Sequence, residues 1–241
     1  MSNNRAPGFD NITIELIKYG TEELVEIICN SLNSIFEENN YNAEIGRGVL
    51  IPLPKPKKIK GPIKHLRPIT LLIIIRKILS DITLTRIRPT TESYLSHSQS
   101  AYRPLRSTTD VVWTYRWLIA KAFTTDIPIY ITGIDMTAAF DTINRVKLID
   151  IFKNIVEEDE LRMIKALLSK TTLEIKTNNN NIESIPFRTN IGSPQGDGLS
   201  GTLFTVYFEA SLRKLRNEID RRDKIQIEHS YATKYTPFQP E

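Results

Sequence analysis

Apolar side chains recur at steps of three and four between Thr21 and Glu38: Leu24, Ile27, Ile28, Leu32, Ile35 and Phe36. That spacing puts them on one face of an amphipathic helix. Gly20 ends a shorter helix before it, and Thr21 is placed to cap the new one. Asn39–Asn42 reads as a polar loop. The apolar run Gly48–Leu53 carries Pro52 and is followed by Pro54, which predicts an edge strand or an extended segment. Thr70–Arg88 reads as a helix, Ile-rich enough to be ambiguous, and Pro89 is expected to stop it. Ser107 with Asp110 three residues on resembles a capping box, and the helix after it carries Val111, Leu118, Ile119 and Ala122.

Farther along, Ile127–Asp135 predicts a buried strand, with Ile129 and Ile131 on one side. Thr137–Lys153 and Glu158–Ser169 read as helices. Leu173–Thr177 and Ile182–Arg188, joined across Asn178–Asn181, read as a hairpin. Leu199–Arg222 reads as a helix. No internal repeat and no flexible linker interrupts the pattern. Helices mixed with short strands predict an α+β architecture.

Composition narrows the class. A chain of 241 residues can bury a sizeable core. With 40% hydrophobic and 25% charged residues, wholesale disorder is excluded. A single cysteine, Cys29, excludes an intrachain disulfide framework and a cysteine-rich zinc site. The longest uninterrupted apolar stretch, Leu71–Ile75, is far short of a membrane span. Met1–Arg5 lacks the apolar core of a signal peptide. The expectation is a soluble intracellular protein without a membrane partner, in nucleus or cytoplasm.

The net charge of +4 says little, but its distribution says more. From Asp10 to Glu44 the only base is Lys18. From Ile45 to Ser80 there are nine bases and no acid: Arg47, Lys55, Lys57, Lys58, Lys60, Lys64, Arg67, Arg76 and Lys77. A solvated basic loop accounts for such a run. So does a surface that meets phosphates.

Two segments carry candidate chemistry. Ile131–Asp135 would end a buried strand on a carboxylate, a good place for a hard cation such as magnesium. Asp141 follows in a turn or first helical turn, where it would equally suit the helix dipole. Gly192-Ser193-Pro194-Gln195-Gly196-Asp197-Gly198 holds three glycines and a proline in seven residues, so its backbone can approach a ligand closely. A helix begins just after it, and helix N-termini attract phosphates. An ordinary tight loop reads the same way. The Gly-Lys-Ser/Thr ending of a Walker loop is absent.

Taken in order, these segments resemble the reverse transcriptase domain of non-LTR (LINE-type) retroelements, from about Ala6 to Ala232. Ala6-Pro7-Gly8-Phe9-Asp10 with Glu15-Leu16-Ile17-Lys18 resembles the family's opening segment. Ile51-Pro52-Leu53-Pro54-Lys55 and Leu66-Arg67-Pro68-Ile69 resemble its fingers segment. Gln99–Arg103 and Arg106–Asp110 resemble Gln-x-Gly-Phe-Arg and Arg-Ser-Thr-x-Asp. Asp135–Asp141 is similar to the first aspartate motif of the palm, and Ser193–Asp197 with Leu199-Ser200 and Leu203-Phe204 to the Pro-Gln-Gly motif of the nucleotide pocket.

The resemblance implies a single partial domain, 1–241, of a right-hand polymerase, with about residues 1–110 mainly fingers and about 111–241 mainly palm with fingers elements interleaved. It implies an RNA-directed DNA polymerase that adds dNTPs to a primer 3′-hydroxyl on an RNA template, with two magnesium ions clamping the attacking and leaving oxygens. By match, Asp135 ligates the metals and the carbonyl of Met136 assists. Phe140 stacks under the sugar and excludes a 2′-hydroxyl. Gln195 and Gly196 line the dNTP pocket, and Arg67 holds the triphosphate. Lys55, Lys57, Lys58, Lys60 and Lys64 would face nucleic-acid phosphates, Lys60 or Lys64 also being candidates for the triphosphate.

One departure bears on activity. The family has a palm hairpin reading Tyr-Ala-Asp-Asp, whereas this chain reads Tyr231-Ala232-Thr233-Lys234. Thr is a poor magnesium ligand and Lys repels cations. Lys224–Glu228 would form that hairpin's first strand, and Pro237 disfavours a return strand over Lys234–Phe238. The expectation is an incomplete palm, no thumb, and a chain inactive alone. The alternative is a non-catalytic nucleic-acid-binding remnant.

Overall fold

The architecture is that of a computed structural model, which describes residues 2–37, 43–57, 62–176 and 185–226. Pairing of backbone groups decides its small sheet. Strand β1 (Arg47–Pro54) runs antiparallel to β2 (Leu66–Leu72), with Gly48 opposite Leu72 and Pro54 opposite Leu66. Strand β3 (Thr172–Ile175) lies parallel to β1 on its other side, and β4 (Phe187–Arg188) closes the sheet in the order β2-β1-β3-β4. Gly48 lies where a side chain would strike Thr70 and Leu173, so glycine lets β1 sit between its neighbours. The hairpin expected over 173–188 is therefore present as a short antiparallel pair, and its connection falls outside the described residues.

Seven α-helices occur among the described residues: α1 (Ile14–Lys18), α2 (Glu22–Glu37), α3 (Ile74–Tyr94), α4 (Thr108–Thr125), α5 (Arg145–Phe152), α6 (Glu158–Leu168) and α7 (Ser200–Gln226). The core lies between α3, α5, α6 and α7. Leu79 and Ile87, Leu148 and Phe152, Met163 and Ile164, and Leu203 and Val206 are each 2% exposed or less. This is a mixed α+β structure with a four-stranded sheet. No helix among the described residues is long and apolar enough to cross a membrane.

Four expectations are corrected. The Ile-rich run begins as strand β2, because its backbone pairs with β1, and becomes helical only at Ile74. Pro89 does not stop α3, which continues to Tyr94. Ile87 and Thr91 on either side are buried, and the hydroxyls of Thr90 and Thr91 bond to the Ile87 carbonyl, so packing and side-chain hydrogen bonds outweigh the proline. Residues 127–135 form no strand and are exposed, because no described strand lies beside them to pair their backbone. Residues 137–142 form turns rather than a helix. Helix α5 begins only after Asn144, whose side chain accepts from the Lys147 amide.

Ser107 and Asp110 do form a reciprocal capping box at the start of α4. That helix nevertheless buries no side chain among the described residues: Trp113, Tyr115, Trp117 and Phe123 are all exposed. At the other end of the chain, Lys224–Gln226, expected as strand, continue α7.

Candidate nucleotide-binding site

The loop Gly192–Gly198 is held by backbone hydrogen bonds from two directions. Thr70 of β2 donates to the Gln195 carbonyl at 2.7 Å. Ser193 donates to the Phe140 carbonyl at 2.9 Å, and Gly192 to that of Ile143 at 2.8 Å. The loop thus joins the strand carrying Arg67 to the turn carrying Phe140. Its glycines are needed for this approach. Gly192 has φ +77, and a side chain there would meet the backbone of Asp141 at 2.9 Å. Gly196 has φ +123, and a side chain would come within 2.5 Å of the Thr70 carbonyl.

Buried groups pin the loop from behind. Asp197 accepts from the Ser80 hydroxyl at 3.0 Å and from Arg76 at 3.5 Å. Arg76 is 1% exposed and also donates to the Leu167 carbonyl at 2.8 Å. The hydroxyls of Ser193 and Ser200 lie 2.7 Å apart, and Ser200 donates to the Pro194 carbonyl. Arg145, 8% exposed, donates to the carbonyls of Gly192, Ile191, Leu168 and Thr189 and to the hydroxyls of Thr171 and Thr189. Burial, then repulsion from Arg76, brings the pKa of Arg145 down to about 10. Sequence reasoning missed these positioning residues. Arg76 looks like one more base of a surface block, and nothing in the sequence marks Arg145 as buried.

Phe140 is half-buried in a row of rings. Tyr102 meets it edge-on at 5.8 Å, the Phe204 ring lies tilted 5.1 Å from it, and Phe208 stacks on Phe204 at 5.9 Å. The Tyr102 ring rests on Gly201, where a side chain would come within 2.4 Å of it. The opening of α7 is therefore shaped to receive an aromatic ring.

Arg67 is exposed on β2, opposite Leu53. Gln195 is half-buried and Gly196 exposed in the loop. The Lys55 amide bonds to the His65 carbonyl at the mouth of the β1–β2 hairpin, and Lys57 is exposed beyond it. Lys64 lies in the short 3-10 turn Ile63–His65. Lys58 and Lys60 fall outside the described residues, as do Tyr231–Lys234. The basic block does not act as one surface. Arg47 pairs with Glu174 and stacks on Phe9, Arg76 is in the core, and Lys77 reaches the Ala6 carbonyl.

Asp135 and Met136 are exposed on the irregular segment that leads into the Phe140 turn. The Asp135 carboxylate has no hydrogen bond or ion pair to a described residue. Magnesium takes oxygen ligands in a near-octahedral set. Among the described residues no three acids, histidines or cysteines come together. Asp141, close by in sequence, has its pKa raised by burial.

Residues 53–232 match the family model described as reverse transcriptase (RNA-dependent DNA polymerase). The chain belongs to that family. It is also similar to "Transposon TX1 uncharacterized 149 kDa protein" of Xenopus laevis, 26% identical over 220 residues, which is 91% of this chain and 17% of that protein. The chain thus spans about 17% of the length of this curated relative. Both matches bear out the resemblance to the reverse transcriptase domain of a non-LTR retroelement.

Proposed function

We propose that this chain is the nucleotide- and template-holding part of an RNA-directed DNA polymerase of a non-LTR retroelement. The observation that carries this reading is the bridging of the Gly192–Gly198 loop to both β2 and Phe140. In this reading Arg67, Phe140, Gln195 and Gly196 share one opening. Arg67 would meet the triphosphate, the loop backbone would meet the base and sugar, and the Phe140 ring would select against a 2′-hydroxyl. Lys55, Lys57, Lys58, Lys60 and Lys64 would grip strand phosphates without reading sequence. Asp135 and the Met136 carbonyl are assigned to the metal side of the opening.

The family generally uses magnesium, which would stabilise the charge that develops on the reacting phosphate. In this reading Thr233-Lys234 stand in the sequence where the family has carboxylates. This favours the second reading, a non-catalytic nucleic-acid binder, for the chain acting alone.

Binding and extension assays on a primed RNA template separate the two readings. The expected result is RNA binding whose affinity falls steeply with salt, weakened by Lys55→Glu with Lys57→Glu, and no primer extension in magnesium. Extension that Asp135→Ala abolishes would overturn the non-catalytic reading. Binding that ignores salt and survives the charge reversals would overturn the assignment of these lysines.

A further inference from the structure

A cleft of about 400 Å³ opens behind the Gly192–Gly198 loop, between the end of α6 and the β3–β4 pair. That volume lies in the range of small-ligand sites. Lys170, Thr172, Arg188 and Asn190 line it, and Arg145 contributes to its wall. No Asp or Glu occurs among the described lining residues. The charge balance behind the wall is also uneven. All the hydrogen-bond acceptors of Arg145 are neutral carbonyls and hydroxyls, and it forms no ion pair with a described residue. Arg76, whose charge repels Arg145, faces the buried carboxylate of Asp197. Neutral acceptors satisfy a buried guanidinium's hydrogens but do not cancel its charge, which acts strongly through a poorly screened interior. An anion in the cleft would supply the missing counter-charge. Arg188 and Lys170 stand at the cleft to donate to it directly, as exposed cations do to phosphate oxygens.

We propose that this cleft is a phosphate-binding site, and that its ligand is the phosphodiester backbone of a nucleic-acid strand held behind the nucleotide loop. It is separate from the Lys55–Lys64 hairpin and goes beyond the polymerase reading, since it requires a bound strand but no polymerisation. Because Arg145 hydrogen-bonds the Ile191 and Gly192 carbonyls, a strand seated here would also brace the loop.

The test uses the full 241-residue chain. The probes are a labelled single-stranded RNA oligonucleotide and, separately, inorganic phosphate. The site variant is Lys170→Glu with Arg188→Glu. The control, of equal charge change, is Lys147→Glu with Lys153→Glu, both exposed, one on α5 and one at its C-terminal end. Circular dichroism checks that both fold. The site variant should weaken RNA binding about tenfold or more and flatten its salt dependence, while the control changes affinity by less than about threefold. Phosphate should raise the Tm of the wild type, relative to chloride at matched ionic strength, and not that of the site variant. Equal RNA affinities for site variant and control, with no phosphate effect, would overturn the proposal. A phosphate effect without any loss of RNA binding would overturn the strand assignment and leave a site for free phosphate. Primer extension, read in the same preparations, reports on the polymerase reading independently of these outcomes.

Discussion

Single residues at this site are constrained by what surrounds them. Gly196 combines a positive φ with a carbonyl 2.5 Å from where a side chain would start. Gly196→Ala should therefore destabilise the protein by about 1–3 kcal/mol and displace the loop from Thr70. Thermal denaturation checks this, and an unchanged Tm would contradict the described loop geometry. The glycine-rich loop was legible in the sequence because glycine and proline punctuate the chain wherever they stand. Its anchors were not legible. Arg76 and Arg145 are indistinguishable in sequence from solvated bases. Only the packing of α3, α5 and α6 turns them inward.

Elements followed local rules where those rules stood alone and departed from them where neighbours intervened. The capping box of α4 is a local device. Ser107 accepts from the Asp110 amide, and the Asp110 carboxylate accepts from the Ser107 amide at 2.8 Å. Ser107→Ala should cost the first turn about 1 kcal/mol. Because α4 buries no described side chain, the loss should remain local. Amide exchange of Asp110 would quicken about fivefold with little change in Tm, and unchanged exchange would deny the box its role. In α3 the outcome is the reverse. Proline predicts a stop at position 89, and the buried Ile87 and Thr91 carry the helix through it. A strand such as the one expected over 127–135 depends on a partner, and no run of apolar residues provides that by itself.

At the scale of the molecule, the family and the chemistry of its second aspartate motif meet. The chain belongs to the reverse transcriptases, and in the reading proposed above Thr233-Lys234 take the place of the motif's carboxylates. Losing such ligands removes several kcal/mol of charge stabilisation, about a thousandfold or more in rate. Thr233→Asp with Lys234→Asp should therefore raise primer extension in magnesium above that of the unaltered chain, and Asp135→Ala should remove the gain. No gain in a folded, RNA-binding double variant would show that more than these two side chains is missing.

What the sequence determined by itself was the family, the order of its motifs, the amphipathic helices and the capped start of α4. These rest on spacing and residue type along the chain. Tertiary structure alone decided which bases are buried and which stay exposed, where the Ile-rich run changes from strand to helix, and how the Gly192–Gly198 loop meets Thr70 and Phe140. Each of those depends on groups far apart in the chain. The charge of a residue is written in its name, but its burial and its partners are set by the elements that pack around it.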